Sequence, residues 1–140
     1  MIILILCSGC FGLFDSGSKT ICGKYKLVWI DFQEDQGIIE EFENSGSGET
    51  IVPEYVFSVG HNENFIIAKQ HPTSGFDTGH IIDTSIINYF IIDMNKKVLL
   101  SHDKVLGPLT KNEFDSLRIE LNISNIKFDI NYPEIYTDKH

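Results

Sequence analysis

His61, His71, His80 and His102, with Asp77 and Asp83 among them, are the side chains best suited to hold a metal ion or move a proton. Zinc or another first-row metal needs three or four such ligands converging at about 2.0–2.2 Å. The spacing here fits no ligand pattern, since His61 and His71 flank a hairpin-forming segment at its turn end and its loop end. These residues therefore read as exposed polar loop positions, and neither a metal nor a cofactor is expected. Hydrolysis by a Ser/His/Asp set has no better support, because no G-x-S-x-G elbow occurs and the Ser-Gly pairs sit in loop-like stretches. Gly46-Ser47-Gly48 lacks the lysine and the strand-to-helix context of a phosphate cradle. No catalytic residue is assigned.

Asp77-Thr78-Gly79 is the tripeptide of aspartic proteases, and Asp83-Thr84-Ser85 follows as a near echo. Such an enzyme shares a proton between two carboxylates, each on a loop leaving a hydrophobic strand. A chain this short would supply one aspartate per subunit of a homodimer. Here the tripeptide follows Thr73-Ser74-Gly75-Phe76 rather than an apolar strand, and Asp77 and Asp83 are too close to occupy two symmetric loops. Three matching residues also arise by chance, so the protease stands only as an alternative.

A different chemistry is suggested at the start of the chain. Ile2 to Leu6 is wholly apolar and leads into Cys7-Ser8-Gly9-Cys10. The run is far shorter than the about 20 residues that span a bilayer. It is also shorter than the usual signal-peptide core of about 7–15 residues, and no Lys or Arg precedes it. Ser-Gly-Cys after an apolar run nevertheless resembles the bacterial lipobox. That resemblance implies cleavage before Cys10 and a diacylglycerol on its sulfur, although the position usually held by Leu is Cys7. The absent basic residues lead to the expectation that Met1 is assigned too late as the start. The alternative is a buried strand over Ile2–Leu6, but Phe11 to Lys19 reads as a Gly/Ser tether with no turn to fold it back. With Cys10 lipidated and Cys7 removed, Cys22 is left as a lone thiol. With the leader retained, Cys10 and Cys22 could pair and Cys7 would be left over.

Less the leader and tether, the 140 residues suit one domain with a single core. Plentiful Ile, Phe and Tyr with almost no Ala favour strands. A formal charge of −9 argues against nucleic acid, which needs a basic face. The acidic residues are dispersed and read as solvated faces.

Elements follow from the pattern. Gly23 to Phe32 alternates as a strand, with Tyr25, Leu27 and Trp29 on one face to fill the core. Ile38–Phe42 returns after a turn, and Thr50–Gly60 is extended with a break or edge at Pro53. Phe65–Gln70 completes the clearest hairpin, its terminal Lys69 and Gln70 reading as the strand's emergence into solvent. His71–His80 is a polar loop, Ser85–Met94 a strand, and Val98–Ser101 follows it. Thr110 and Glu113 form a capping box, with Phe114, Leu117 and Leu121 at helical spacing and the sole arginine, Arg118, beside that stripe. Asn125–Ile130 reads as a last strand. The expected fold is α+β and mostly β, an antiparallel meander-like sheet with one helix in the C-terminal half packed on it. The expected organisation is a leader (1–9), a tether (10–21), a single β-rich domain (22–132) and a polar tail (133–140).

The order of these segments, from "YKLVWID" through "TIVPEYVFSVGHNENFIIAKQHP" to "INYFIIDMNKK" and "GPLTKNEFDSLRIEL", resembles a family of uncharacterised small bacterial lipoproteins. The resemblance covers roughly residues 22–128 and implies a lipobox ahead of a β-rich domain, with no catalytic residue to transfer. The expected function is a non-catalytic binding or accessory domain anchored in the bacterial envelope through Cys10, with membrane lipid as the expected contact through Cys10 and a protein partner unidentified. The alternative is a membrane-held immunity or inhibitor protein, whose acidity would steer it to a basic toxin.

Overall fold

The alternating segments divide between two sheets that share one apolar core, and a helix covers the far side of the second. The computed structural model describes residues 17–29, 35–43, 47–74 and 81–132. The first sheet is an antiparallel meander of β1 (Gly17–Cys22), β2 (Tyr25–Trp29), β3 (Gly37–Glu41) and β4 (Gly48–Val52). The chain then supplies β5 (Val56–His61), β6 (Phe65–Gln70), β7 (Thr73–Ser74), β8 (Ile81–Ile82), β9 (Asn88–Asp93), β10 (Val105–Leu109), the helix α1 (Lys111–Glu120) and β11 (Ile130–Asn131). The second sheet has the order β10-β9-β6-β5-β11, and β7 pairs only with β8. The fold is α+β and mostly β, its strands forming two antiparallel sheets in place of the single one expected.

Period-two alternation explains the shared core. Leu27, Ile38 and Val52 of the first sheet meet Val59, Ile66 and Ile92 of the second, all fully buried. Pro53 ends the pairing of β4, and the chain crosses there to the other sheet, the break expected from its missing N–H. A register slip between Val56 and Ser58 shifts the parity of β5, so Val56 and Val59 both reach the core.

The other face of the second sheet carries Ile67, Tyr89 and Ile91, covered by Phe114 of α1 and by Ile123 and Ile126. The capping box is present: Thr110 Oγ1 accepts from the Glu113 N–H (3.2 Å), and Glu113 Oε1 accepts from the Thr110 N–H (3.2 Å). The segment after the helix crosses Gly60 so closely that a Cβ there would lie 2.0 Å from the Lys127 carbonyl oxygen.

Several expectations are corrected. The tether expected over residues 10–21 gives way at Gly17 to the edge strand β1, which buries Ile21. Its Gly/Ser composition conceals the strand; the Trp29 ring lies on Gly17, where a Cβ would come within 2.5 Å of it. Val98–Leu100 is irregular and Ser101–Lys104 is a 3-10 turn. The returning strand is β10, which Gly107-Pro108 disguises. The strand expected from Ser85 begins at Asn88, because the Asp83 carboxylate accepts from the Ser85 N–H (3.0 Å) and holds a turn. Of Asn125–Ile130 only Ile130 enters a strand. Arg118 Nη2 donates instead to the Ser124 (2.9 Å) and Ile126 carbonyls and binds that segment to the helix. The leader (1–9), Cys7, Cys10, Asp77-Thr78-Gly79, His80 and the tail (133–140) lie outside the described residues.

Phe114, 1% exposed, and Ile119, 73% exposed, lie five positions apart on α1. Phe114→Ala is expected to lower unfolding stability by about 3–5 kcal/mol, and Ile119→Ala by no more than about 0.5 kcal/mol, read by chemical denaturation.

Candidate functional site

Where the two sheets diverge, a cleft of about 510 Å³ opens between the end of β4, the Pro53–Glu54 crossing, the ends of β6 and β9, and β10. Its apolar walls include Ile51, Phe90 and Val105. Gln70 organises the polar part. It continues the inward phase of Ile66 and Ala68, and only 4% of it is exposed. Its Nε2 donates to the Pro53 (2.9 Å) and Glu54 (3.0 Å) carbonyls, and its Oε1 accepts from Asn88 Nδ2 (3.1 Å). One amide thus ties the crossing between sheets to two strands of the second sheet. The expectation that Gln70 emerges into solvent is corrected, because its backbone partners lie inward. Lys69 lies on the opposite face and is half-buried, its ammonium 4.5 Å from the centre of the Phe128 ring.

A second polar tie lies farther along the junction. On β3, Glu40 shares the inward phase of Ile38 and stands opposite Tyr25 of β2. Glu40 Oε1 accepts from Lys104 Nζ and from Lys24 Nζ, each at 2.7 Å. The Glu40 and Lys104 side chains are 6% and 10% exposed, whereas Lys24 is 55% exposed. Lys104 Nζ also donates to Tyr25 Oη (3.1 Å). Lys104 ends the 3-10 turn that leads into β10, so this contact joins the first sheet to the second. Burial pushes the Glu40 carboxyl up, but the hydrogen bonds from Lys104 and Lys24 outweigh it and hold the group below its usual range. Burial likewise pushes Lys104 down, and its bonds to Glu40 and Tyr25 carry it above the usual lysine range.

The sequence-singled histidines do not converge. His61 is exposed on β5, and exposed His102 bonds Glu49 Oε1 through Nδ1 (3.2 Å), lowering the Glu49 pKa through that hydrogen bond. His71 is the exception to the exposed-loop reading. It is 1% exposed, stacks on Phe57 with ring centres 4.2 Å apart, and donates from Nδ1 to the Ile86 carbonyl (2.9 Å). It is a buried brace at the base of the 71–82 excursion. Asp83 is occupied in its own turn. Among the described residues, no three His, Cys, Asp or Glu side chains gather as a metal site. Cys22 is a free, half-buried thiol. Tyr25 and Tyr89 are buried, as expected of core-filling aromatics, whereas Trp29 is only half-buried and lays its ring on Gly17 of the edge strand rather than in the core.

The arrangement lines the cleft with Ile51, Phe90 and Val105, the fixed Gln70 amide, and the titratable Glu54 and His102. A family model described as "Protein of unknown function (DUF3997)" matches residues 22–136. The chain belongs to that family. The DUF3997 match takes in both sheets from β2 onward, α1, the cleft and both polar ties. No curated protein and no solved structure matches the chain. Membership of DUF3997 brings no activity with it.

Lys104→Met leaves buried Glu40 with the exposed Lys24 as its cation and a hydrogen bond from Ser101, and is expected to cost about 3 kcal/mol of stability by denaturant titration. The Glu40 pKa is depressed on folding, so its contribution is full above the ordinary carboxylate range and disappears as pH falls through the lower folded value. Acid titration of the parent and of Glu40→Gln is expected to show that loss in the parent and a shallower one in the variant.

Proposed function

We propose that the chain is an envelope-anchored lipoprotein, held by lipid on Cys10, whose β-rich domain binds another envelope component without catalysing a reaction. The observation that carries the binding role is the inter-sheet cleft. Its most buried polar side chain, Gln70, is an amide spent on structure; Ile51, Phe90 and Val105 line the cleft beside it, with Glu54 and His102 also on its lining and His102 turned to Glu49. Such a lining suits recognition of a neutral or extended ligand better than proton transfer. The anchor is supported by the Ile2–Leu6 run ahead of Ser8-Gly9-Cys10 and by the short stretch from Cys10 to β1, which would keep the domain near a bilayer. A second reading, a membrane-held inhibitor of a basic toxin, is favoured by the net charge of −9. Salt-sensitive capture of a basic protein would mark it.

Cells expressing the chain and fed an alkyne palmitate analogue are expected to yield a labelled, membrane-associated product. Cys10→Ala is expected to abolish the label. A product that carries label independently of Cys10, or none at all, overturns the anchor.

A further inference from the structure

The bend between β9 and the 3-10 turn exposes the most apolar surface of any loop described. Leu99 is 102% exposed and Leu100 is 52% exposed, and they follow the exposed pair Lys96-Lys97. A single exposed leucine is ordinary, but two adjacent ones at one loop tip form an apolar patch of the kind that marks an interaction surface. We propose that this loop docks the domain on an anionic lipid surface, Leu99 and Leu100 entering the interface while Lys96 and Lys97 meet the headgroups.

Two observations select lipid as the occupant. Apolar tip and lysines are contiguous in sequence, the pairing that serves an interface apolar inside and anionic outside. The chain's overall −9 opposes such a surface, but screening over about 8–10 Å lets a local basic pair act. Asp93 and Asp103 flank the loop and keep their charge, Asp93 Oδ1 accepting from the Asn95 N–H (3.1 Å) and Asp103 lying beside His102, so the basic character is confined to Lys96-Lys97 next to the leucines. The inference builds on the anchored reading in one further respect, which is reach. Lys104 bonds Tyr25, the residue opposite Cys22, so the loop lies toward the Cys22 end of β1. Seven peptide units from Cys10 to Gly17 span at most about 25 Å, more than the about 17 Å of β1. That length of chain is enough for a lipid on Cys10 and the loop to meet one bilayer.

The test uses the full chain carrying Cys10→Ser, which cannot be lipidated, so it is independent of palmitate labelling. Its partitioning onto phosphatidylcholine vesicles, and onto vesicles with equal parts phosphatidylglycerol, is measured by co-sedimentation. Leu99→Ser/Leu100→Ser is expected to weaken partitioning onto the mixed vesicles about tenfold. Lys96→Gln/Lys97→Gln is expected to remove the preference for phosphatidylglycerol. Ile119→Ser, the loss of another exposed apolar side chain on α1, is expected to change neither. In Leu99→Trp the added indole is expected to emit at shorter wavelength when vesicles are present. An unmoved emission, a leucine variant that partitions like its parent, or an equal loss in Ile119→Ser overturns the proposal. So does a parent that self-associates without vesicles through these leucines, which would make a second copy the occupant.

Discussion

A carboxylate in the inward phase of a strand must find a cation or leave the core, and the junction of the two sheets is built around that demand. Glu40 is held by Lys104, which arrives from the opposite sheet's side on a 3-10 turn and also bonds Tyr25. With Gln70 pinning the Pro53–Glu54 crossing, the two sheets are tied at two polar points outside their apolar core. The cleft is the space these ties leave between sheet edges. A buried ion pair costs desolvation and repays it only with good geometry. Two lysines at 2.7 Å and a tyrosine hydroxyl supply that geometry here.

Much of this fold is legible in the sequence, because strands and helix caps are written in local pattern. Tyr25 and Leu27 alternate into the core, Thr110 and Glu113 form their box, and Pro53 breaks the chain where it changes sheet. The misses have physical causes. The edge strand β1 pairs through backbone, so Gly17-Ser18 hides it. Strand β10 carries a glycine and a proline in its middle. The division into two sheets depends on a crossing of only three residues, and no periodicity reports it.

The polar ties were partly within reach. Gln70 follows Ile66 and Ala68 at intervals of two, and Glu40 follows Ile38, so phase alone places both inward. Residue type misleads, since glutamine at a strand end and glutamate near a turn usually meet water. His71 is hidden in the same way by its polar neighbours. Lys104 has no local signal, because it acts across 64 positions of chain. The anchoring cysteine stands apart from all of this: its argument comes from Ile2–Cys10 as sequence, while the folded domain supplies the surface that would face the membrane.

The claim that Glu40 and Lys104 form the tie between the sheets is tested most directly by a double-mutant cycle. Unfolding free energies of the parent, Glu40→Gln, Lys104→Met and the double variant are compared at neutral pH. The account predicts a coupling energy of about 2 kcal/mol, with the double variant more stable than Lys104→Met alone. Additive losses, with coupling below about 0.5 kcal/mol, would contradict it.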